Sequence, residues 1–124
     1  RLSTPEIESA LVSHPAVAES AVVGAADETT GQAVIAFVIL SDAAAEQGGD
    51  REELAAQIRA HVGEAISPIA KPKKVLIVPE LPKTRSGKIM RRLLKDVAED
   101  RPVGDTSTLA DSMVMDQITR SLRA

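Results

Sequence analysis

One short stretch concentrates the residue types that do chemistry: Pro82-Lys83-Thr84-Arg85-Ser86-Gly87-Lys88. Pro79 and Pro82 stiffen the approach to it. Gly87 opens backbone geometry closed to other residues. Lys88 follows, where the pattern predicts a loop-to-helix boundary, and its cationic surroundings draw it toward an anionic ligand. Three readings compete. A solvated basic loop is the default for any such segment taken at random. A phosphate-cradling P-loop fails on spacing, because G-x-x-x-x-G-K-[ST] wants Gly at 82, where Pro stands, and Ser or Thr at 89, where Ile stands. The run from Lys88 to Arg92 could hold nucleic-acid phosphates, but no base-reading element accompanies it. Local chemistry reaches as far as an anion-binding or modifiable lysine loop.

The charge distribution supports an anion site. All six lysines (Lys71, Lys73, Lys74, Lys83, Lys88 and Lys95) fall between positions 71 and 95. Arg85, Arg91 and Arg92 join them and Glu80 is the lone acid, so that span carries +8 while the rest of the 124 residues carries -11. Asymmetry of this kind marks a place where something negative binds. Cys is absent, which excludes a disulfide framework, a thiol nucleophile and cysteine-ligated zinc. Two histidines 47 positions apart give no metal site. One Phe and no Trp or Tyr argue against base stacking, hence against nucleic acid as the partner. No apolar run approaches the ~20 residues of a membrane span, and no signal peptide is read. The expectation is a cytoplasmic chain with no membrane partner. It opens on Arg rather than Met, which predicts a fragment of something longer.

The elements that must position the loop read as follows. Ser3-Thr4-Pro5-Glu6 predicts a helix start, with capping-box spacing from Ser3 to Glu6 and Pro5 in the first turn. Ile7, Ala10 and Leu11 share its inner face until Pro15 stops it, and His14 reads as a helix-end residue with no chemical role. Val17 to Gly24 reads as a strand, followed by a turn. Ala33 to Leu40 is a continuous apolar run whose length and β-branched content predict a strand buried on both faces. Ser41 to Gly49 reads as a small-residue loop tolerant of insertion. Asp50 opens a second helix striped by Leu54, Ile58, Val62 and Ile66. His61 beside the stripe reads as partly packed rather than catalytic, Gly63 should cost ~1 kcal/mol relative to Ala, and Pro68 ends the helix. Val75 to Val78 is a short strand ended by Pro79. A third helix is predicted after Lys88, with Ile89, Leu93, Leu94 and Val97 inward and Arg91, Arg92 and Lys95 in solvent. Asp100 to Asp111 is a polar connection, and a last short helix carries Met115, Ile118 and Leu122. These elements predict an α/β (α+β) sandwich, a small mixed three-stranded sheet flanked by helices, as a domain over 1–100 and an extension with a short helix over 101–124.

Pro82-Lys83-Thr84-Arg85-Ser86-Gly87-Lys88 resembles the C-terminal signature P-K-T-x-S-G-K of the acyl-adenylate-forming (AMP-binding) enzymes. The continuation Ile89-Met90-Arg91-Arg92 resembles the acetate-activating CoA ligases among them. Arg1-Leu2-Ser3-Thr4-Pro5-Glu6-Ile7-Glu8 is similar to the R-L-S-T-x-E-I-E that follows that family's hinge. Gly104-Asp105-Thr106-Ser107-Thr108-Leu109-Ala110-Asp111 is similar to the late G-D-T-S-T-L-A-D of its acetate-activating branch. Three motifs in order, at family spacing, span nearly the whole chain.

The resemblance implies a mobile C-terminal lid cut from its N-terminal adenylation domain, inactive alone. The whole enzyme would use ATP and Mg2+ to convert acetate to acetyl-AMP, then pass the acetyl group to coenzyme A. Lys88 would be the catalytic residue, positioned by Pro82, Lys83, Thr84, Arg85, Ser86 and Gly87, and Arg1 would contact nucleotide phosphate. The family's Arg-Lys pair late in the second helix, whose Arg touches the coenzyme A phosphate, is matched here by Gly63 and Glu64, a departure. Lys71, Lys73 or Lys74 is the expected replacement. The family also implies reversible acetylation of Lys88 by a GNAT-type lysine acetyltransferase, reversed by a sirtuin-type deacetylase. The alternative is a basic-patch nucleic-acid-binding or pure interaction module.

Overall fold

The most apolar run in the chain becomes the middle strand. The computed structural model describes residues 4–27, 31–67 and 71–123. In it β2 (Gly31–Leu40) lies between β1 (Val17–Asp27) and β3 (Lys74–Ile77). β1 pairs with it antiparallel and β3 parallel, so the sheet is mixed as expected. Alternation along β2 sends Ile35 and Phe37 into one core and Ala36 and Val38 into another. The strand is therefore buried on both faces, and three layers result.

One face is covered by helices formed from local signals. α1 (Thr4–Val12) buries Ile7, Ala10 and Leu11. Ser3, the predicted cap, lies outside the described residues, as do Pro68 and residues 28–30 of the turn expected from Ala25 to Gly31; Ala25, Ala26 and Asp27 extend β1 instead, and Gly31 opens β2. His14 closes the turn after α1, its Nδ1 accepting from the Ala16 N–H at 3.0 Å. α3 (Arg51–Ala65) starts where Asp50 caps it, the Asp50 carboxylate accepting from the Glu52 and Glu53 N–H groups. Ile58 and Val62 are fully buried on its inner stripe, and Leu54 and Ile66 pack partly against the same core.

Two expectations on this part of the chain change. Ser41 to Gly49 is not simply a loop: α2 (Asp42–Gln47) forms there, capped by Ser41. Its six residues are dominated by good helix formers. Gly48 and Gly49, both at positive φ, stop it. Gly63, expected only as a cost to its helix, has a packing reason. It is buried, and a Cβ there would run into the stem of Lys71, which lies across it.

The other face is covered by α4 (Arg91–Ala98), α5 (Val114–Arg123) and two irregular segments that contribute Leu81 and Leu109. Met115 and Ile118 are buried and Leu122 packs partly against them, as the spacing predicted. Residues past 100 thus share one core with Ala21, Val23 and Phe37. A register shift between Val17 and Glu19 matters here. A bulge of this type reverses the face of the side chains beyond it. Val17 enters the α1/α3 core, while Glu19, Ala21 and Val23 point to the α4/α5 side. The bulge is what lets an acid from β1 reach the lysine-bearing segment.

Candidate functional site

Residues 82–90 form a hairpin, and its backbone is held from both arms. Lys83 pairs with Ile89 in an antiparallel bridge, the Thr84 N–H donates to the Lys88 carbonyl at 2.9 Å, and the Met90 N–H donates to the Pro82 carbonyl at 2.8 Å. The turn is closed by the Gly87 N–H donating to the Thr84 carbonyl at 2.9 Å. Gly87 has φ of 90°, the left-handed region that lets a three-residue hairpin loop close. No atom lies within 4 Å of where its Cβ would sit, so the demand for glycine is conformational and not steric. The Thr84 hydroxyl adds a second tie, accepting from the Lys88 N–H at 3.2 Å and pairing with the Ser86 hydroxyl at 2.9 Å.

This corrects the expected position of Lys88. It stands on the return arm of the hairpin, not at the helix boundary, and α4 begins only at Arg91. Ile89 and Met90 belong to the hairpin because their backbone groups are already paired with Lys83 and Pro82. Ile89, expected on the helix, instead packs from the hairpin into the α4/α5-side core. Leu81 and Pro82 are buried at the base, while Arg85, Ser86, Gly87 and Lys88 are exposed at the tip. The result is an ammonium group presented to solvent from a fixed base.

Ion pairs anchor the surroundings and consume part of the basic span. The Lys83 ammonium meets the Glu19 carboxylate at 2.6 Å. Arg91 donates through Nε and Nη2 to the Glu8 carboxylate, with Nη2–Oε1 at 2.7 Å. Glu8 Oε2 also accepts the Val22 N–H at 2.8 Å, so one acid joins α1, β1 and α4. Arg92 donates to the Asp105 carbonyl at 2.8 Å. Hydrogen bonds from Ser107, backbone first and side chain second, hold the Asp105 carboxyl below its ordinary range, and the charge of Arg92 adds to this. Arg91, Arg92 and Lys95 are exposed as expected, and they line a cleft of ≈ 530 Å³ with Thr4, Val22 and Val23.

Lys71, Lys73 and Lys74 lie elsewhere. Lys71 and Lys73 precede β3 and Lys74 opens it, whereas the hairpin follows it, so the strand separates the two halves of the basic span. Lys73 and Lys74 are exposed, and Lys71 is half-buried along Gly63. Arg1 lies outside the described residues. The partners that sequence reasoning missed are Glu8, Glu19, Leu109 and Ala110. Glu8 stood in the early noticed motif and the last two in the late one, Glu19 in neither, and nothing local tied either motif to the hairpin.

A mixed three-stranded sheet with helices on both faces, carrying a lysine on a hairpin after the last strand, defines a known class. The chain belongs to the AMP-binding enzyme C-terminal domain family, whose model matches residues 6–88. It is 67% identical over 123 residues to acetyl-coenzyme A synthetase of Streptomyces coelicolor, covering 99% of this chain and 18% of that protein. It is 63% identical over 121 residues to acetyl-coenzyme A synthetase of Mycolicibacterium smegmatis, covering 98% of this chain and 13% of that one. Among solved structures, Brucella canis acyl-CoA synthetase superposes with a TM-score of 0.70 at 43% identity, over 78% of this chain and 17% of that one. A benzoate CoA ligase from Burkholderia xenovorans LB400 gives 0.66 at 37% identity, over 76% and 18%. The chain spans less than a fifth of the length of each of these relatives.

Proposed function

We propose that this chain is the C-terminal lid of an AMP-forming acetate–CoA ligase and that Lys88 supplies the charge for its adenylation step. The observation that carries the reading is the 67% identity to an acetyl-coenzyme A synthetase over 99% of the chain. The exposed, hairpin-mounted Lys88 supplies the chemistry. In adenylation an acetate oxygen attacks the α-phosphate of ATP and pyrophosphate departs. Both reactants are anions. An ammonium set between the carboxylate and the nucleotide offsets their repulsion and stabilises charge as it grows in the transition state. Lys suits this task as a compact point charge on a long stem.

The lid then rotates away, a domain-closure step. The thiol of coenzyme A attacks acetyl-AMP and displaces AMP, with the N-terminal adenylation domain supplying the acyl pocket. Arg1 is assigned to a nucleotide phosphate. Mg2+ would accompany ATP in the full-length protein and would offset negative charge on its phosphates. In the full-length protein, Lys88→Ala should abolish acetate-dependent ATP–pyrophosphate exchange and spare thioester formation from supplied acetyl-AMP. Equal loss of both would reject the assignment.

Lys71 is the favoured replacement for the missing coenzyme A phosphate contact, because its stem occupies the surface over Gly63, where the family's Arg would stand. Lys73 and Lys74 flank the same strand end. Charge reversal at these three should raise the KM for coenzyme A, and an unchanged KM would sink the idea.

The exposed Lys88 also fits modification by a GNAT-type acetyltransferase and reversal by a sirtuin-type deacetylase. Lys83, five residues earlier, is paired to Glu19 and so is a poorer target. Acetylation removes the charge, so adenylation should stop. Peptide mass spectrometry after enzymatic acetylation should find the acetyl group on Lys88; even spread over the six lysines would count against selective presentation.

A further inference from the structure

We propose that residues 104–110 form a strap that holds the Lys88 hairpin in place, with Leu109 as its positioning residue. Strap and hairpin are joined directly: Leu109 stands opposite Thr84 in an antiparallel bridge, with the Ala110 N–H donating to the Lys83 carbonyl at 2.9 Å. The Thr108 hydroxyl reaches Met90 Sδ on the other arm at 3.4 Å. The Leu109 side chain is buried in the core beneath, 4% exposed in a segment whose other residues are exposed apart from the half-buried Thr106.

The strap is itself fixed to α4, the helix that leaves the hairpin. The Gly104 N–H donates to the buried Asp96 carboxylate at 3.0 Å, and Arg92 holds the Asp105 carbonyl. A Cβ at Gly104 would come within 2.7 Å of Arg92 Nη1, so a larger residue there would displace the guanidinium from this position. Within the strap, Ser107 donates to the Asp105 carboxylate and the Leu109 N–H to the Thr106 carbonyl.

An isolated two-stranded hairpin is marginal in water, and a third paired segment steadies it. The strap supplies that segment from outside the stretch the family model matches. The catalytic consequence rests on the reading of Lys88 given above. An ammonium displaced by about 1 Å from its working position can cost on the order of a hundredfold in rate.

The test compares two cavity-forming variants in the full-length protein, Leu109→Ala and Met115→Ala. Both empty space in the same core, and only Leu109 pairs with the hairpin. Two quantities are read: hydrogen exchange over residues 83–90, and the ratio of ATP–pyrophosphate exchange to thioester formation from supplied acetyl-AMP. Leu109→Ala should speed exchange in the hairpin and lower the ratio about tenfold or more, while Met115→Ala leaves both near wild type. Equal shifts in the two variants, or none in Leu109→Ala, would overturn the strap. If Leu109→Ala fails to fold, Ala110→Pro, which deletes the N–H given to Lys83, is scored the same way. Lys88→Ala run alongside separates the two claims: an unchanged ratio there overturns the role of Lys88, and hydrogen exchange still decides the strap.

Discussion

The two faces of the sheet are built by different means. The α1/α3 face is covered by helices with their own apolar stripes, and Asp50 caps α3 from the adjacent residue. The α4/α5 face is completed by irregular backbone, the hairpin and the strap, held by bonds that span long stretches of chain: Glu19 to Lys83, Glu8 to Arg91, Leu109 to Thr84. The first face could change its side chains and keep its shape, because helix hydrogen bonds are internal. The second has less reserve, because its irregular segments are tied to the rest of the fold by partners distant in the chain. A lysine that must be placed accurately sits on the second.

The comparison predicts that stability and placement separate by face. The largest loss of stability is expected on the helical side. Ile58→Ala should cost about 2–5 kcal/mol, measured by urea unfolding, and leave the ratio of the two half-reactions unchanged, because Ile58 packs in the α1/α3 core. Gly87→Ala should cost less, about 1–2 kcal/mol for a side chain in the left-handed region. It should nevertheless lower adenylation selectively, because it strains the turn before Lys88. A larger activity effect from Ile58→Ala than from Gly87→Ala would erase the distinction.

The smallest effect comes from the histidines between α1 and α3. The rings of His14 and His61 meet edge-to-face with centroids 5.1 Å apart, and His61 Nε2 lies 2.7 Å from the Ser13 hydroxyl. Burial, and secondarily the neighbouring His61, hold the His14 imidazole below its ordinary value of 6.5. The unfolded chain therefore takes up this proton more readily than the folded one. Stability should fall as pH drops through and below 6.5 and level off above it. Urea midpoints measured across that range should show the slope, and His14→Gln should flatten it. A slope that survives His14→Gln would place its origin elsewhere.

What could be read from sequence follows the same division. The β2 run and the stripe of α3 are local periodicities, and both elements stand where the pattern put them. The hairpin residues were singled out by type alone, since Gly87 next to Lys88 among prolines is a local signal. Ile89 was misplaced because Ile89, Leu93 and Val97 recur at every fourth position and mimic a helix stripe, while the Ile89 backbone is committed to Lys83. α2 was missed because Ala-rich segments read as small-residue loops, though alanine is the strongest helix former. The register shift between Val17 and Glu19, the Glu19 contact and the strap carry no local signature, since each is a pairing of residues far apart in the chain.

The most direct measurement sets Lys88→Ala beside Ile58→Ala in the full-length protein and compares ATP–pyrophosphate exchange with thioester formation from supplied acetyl-AMP. The account predicts that the ratio collapses in Lys88→Ala and holds in Ile58→Ala. The same ratio in both variants would contradict it.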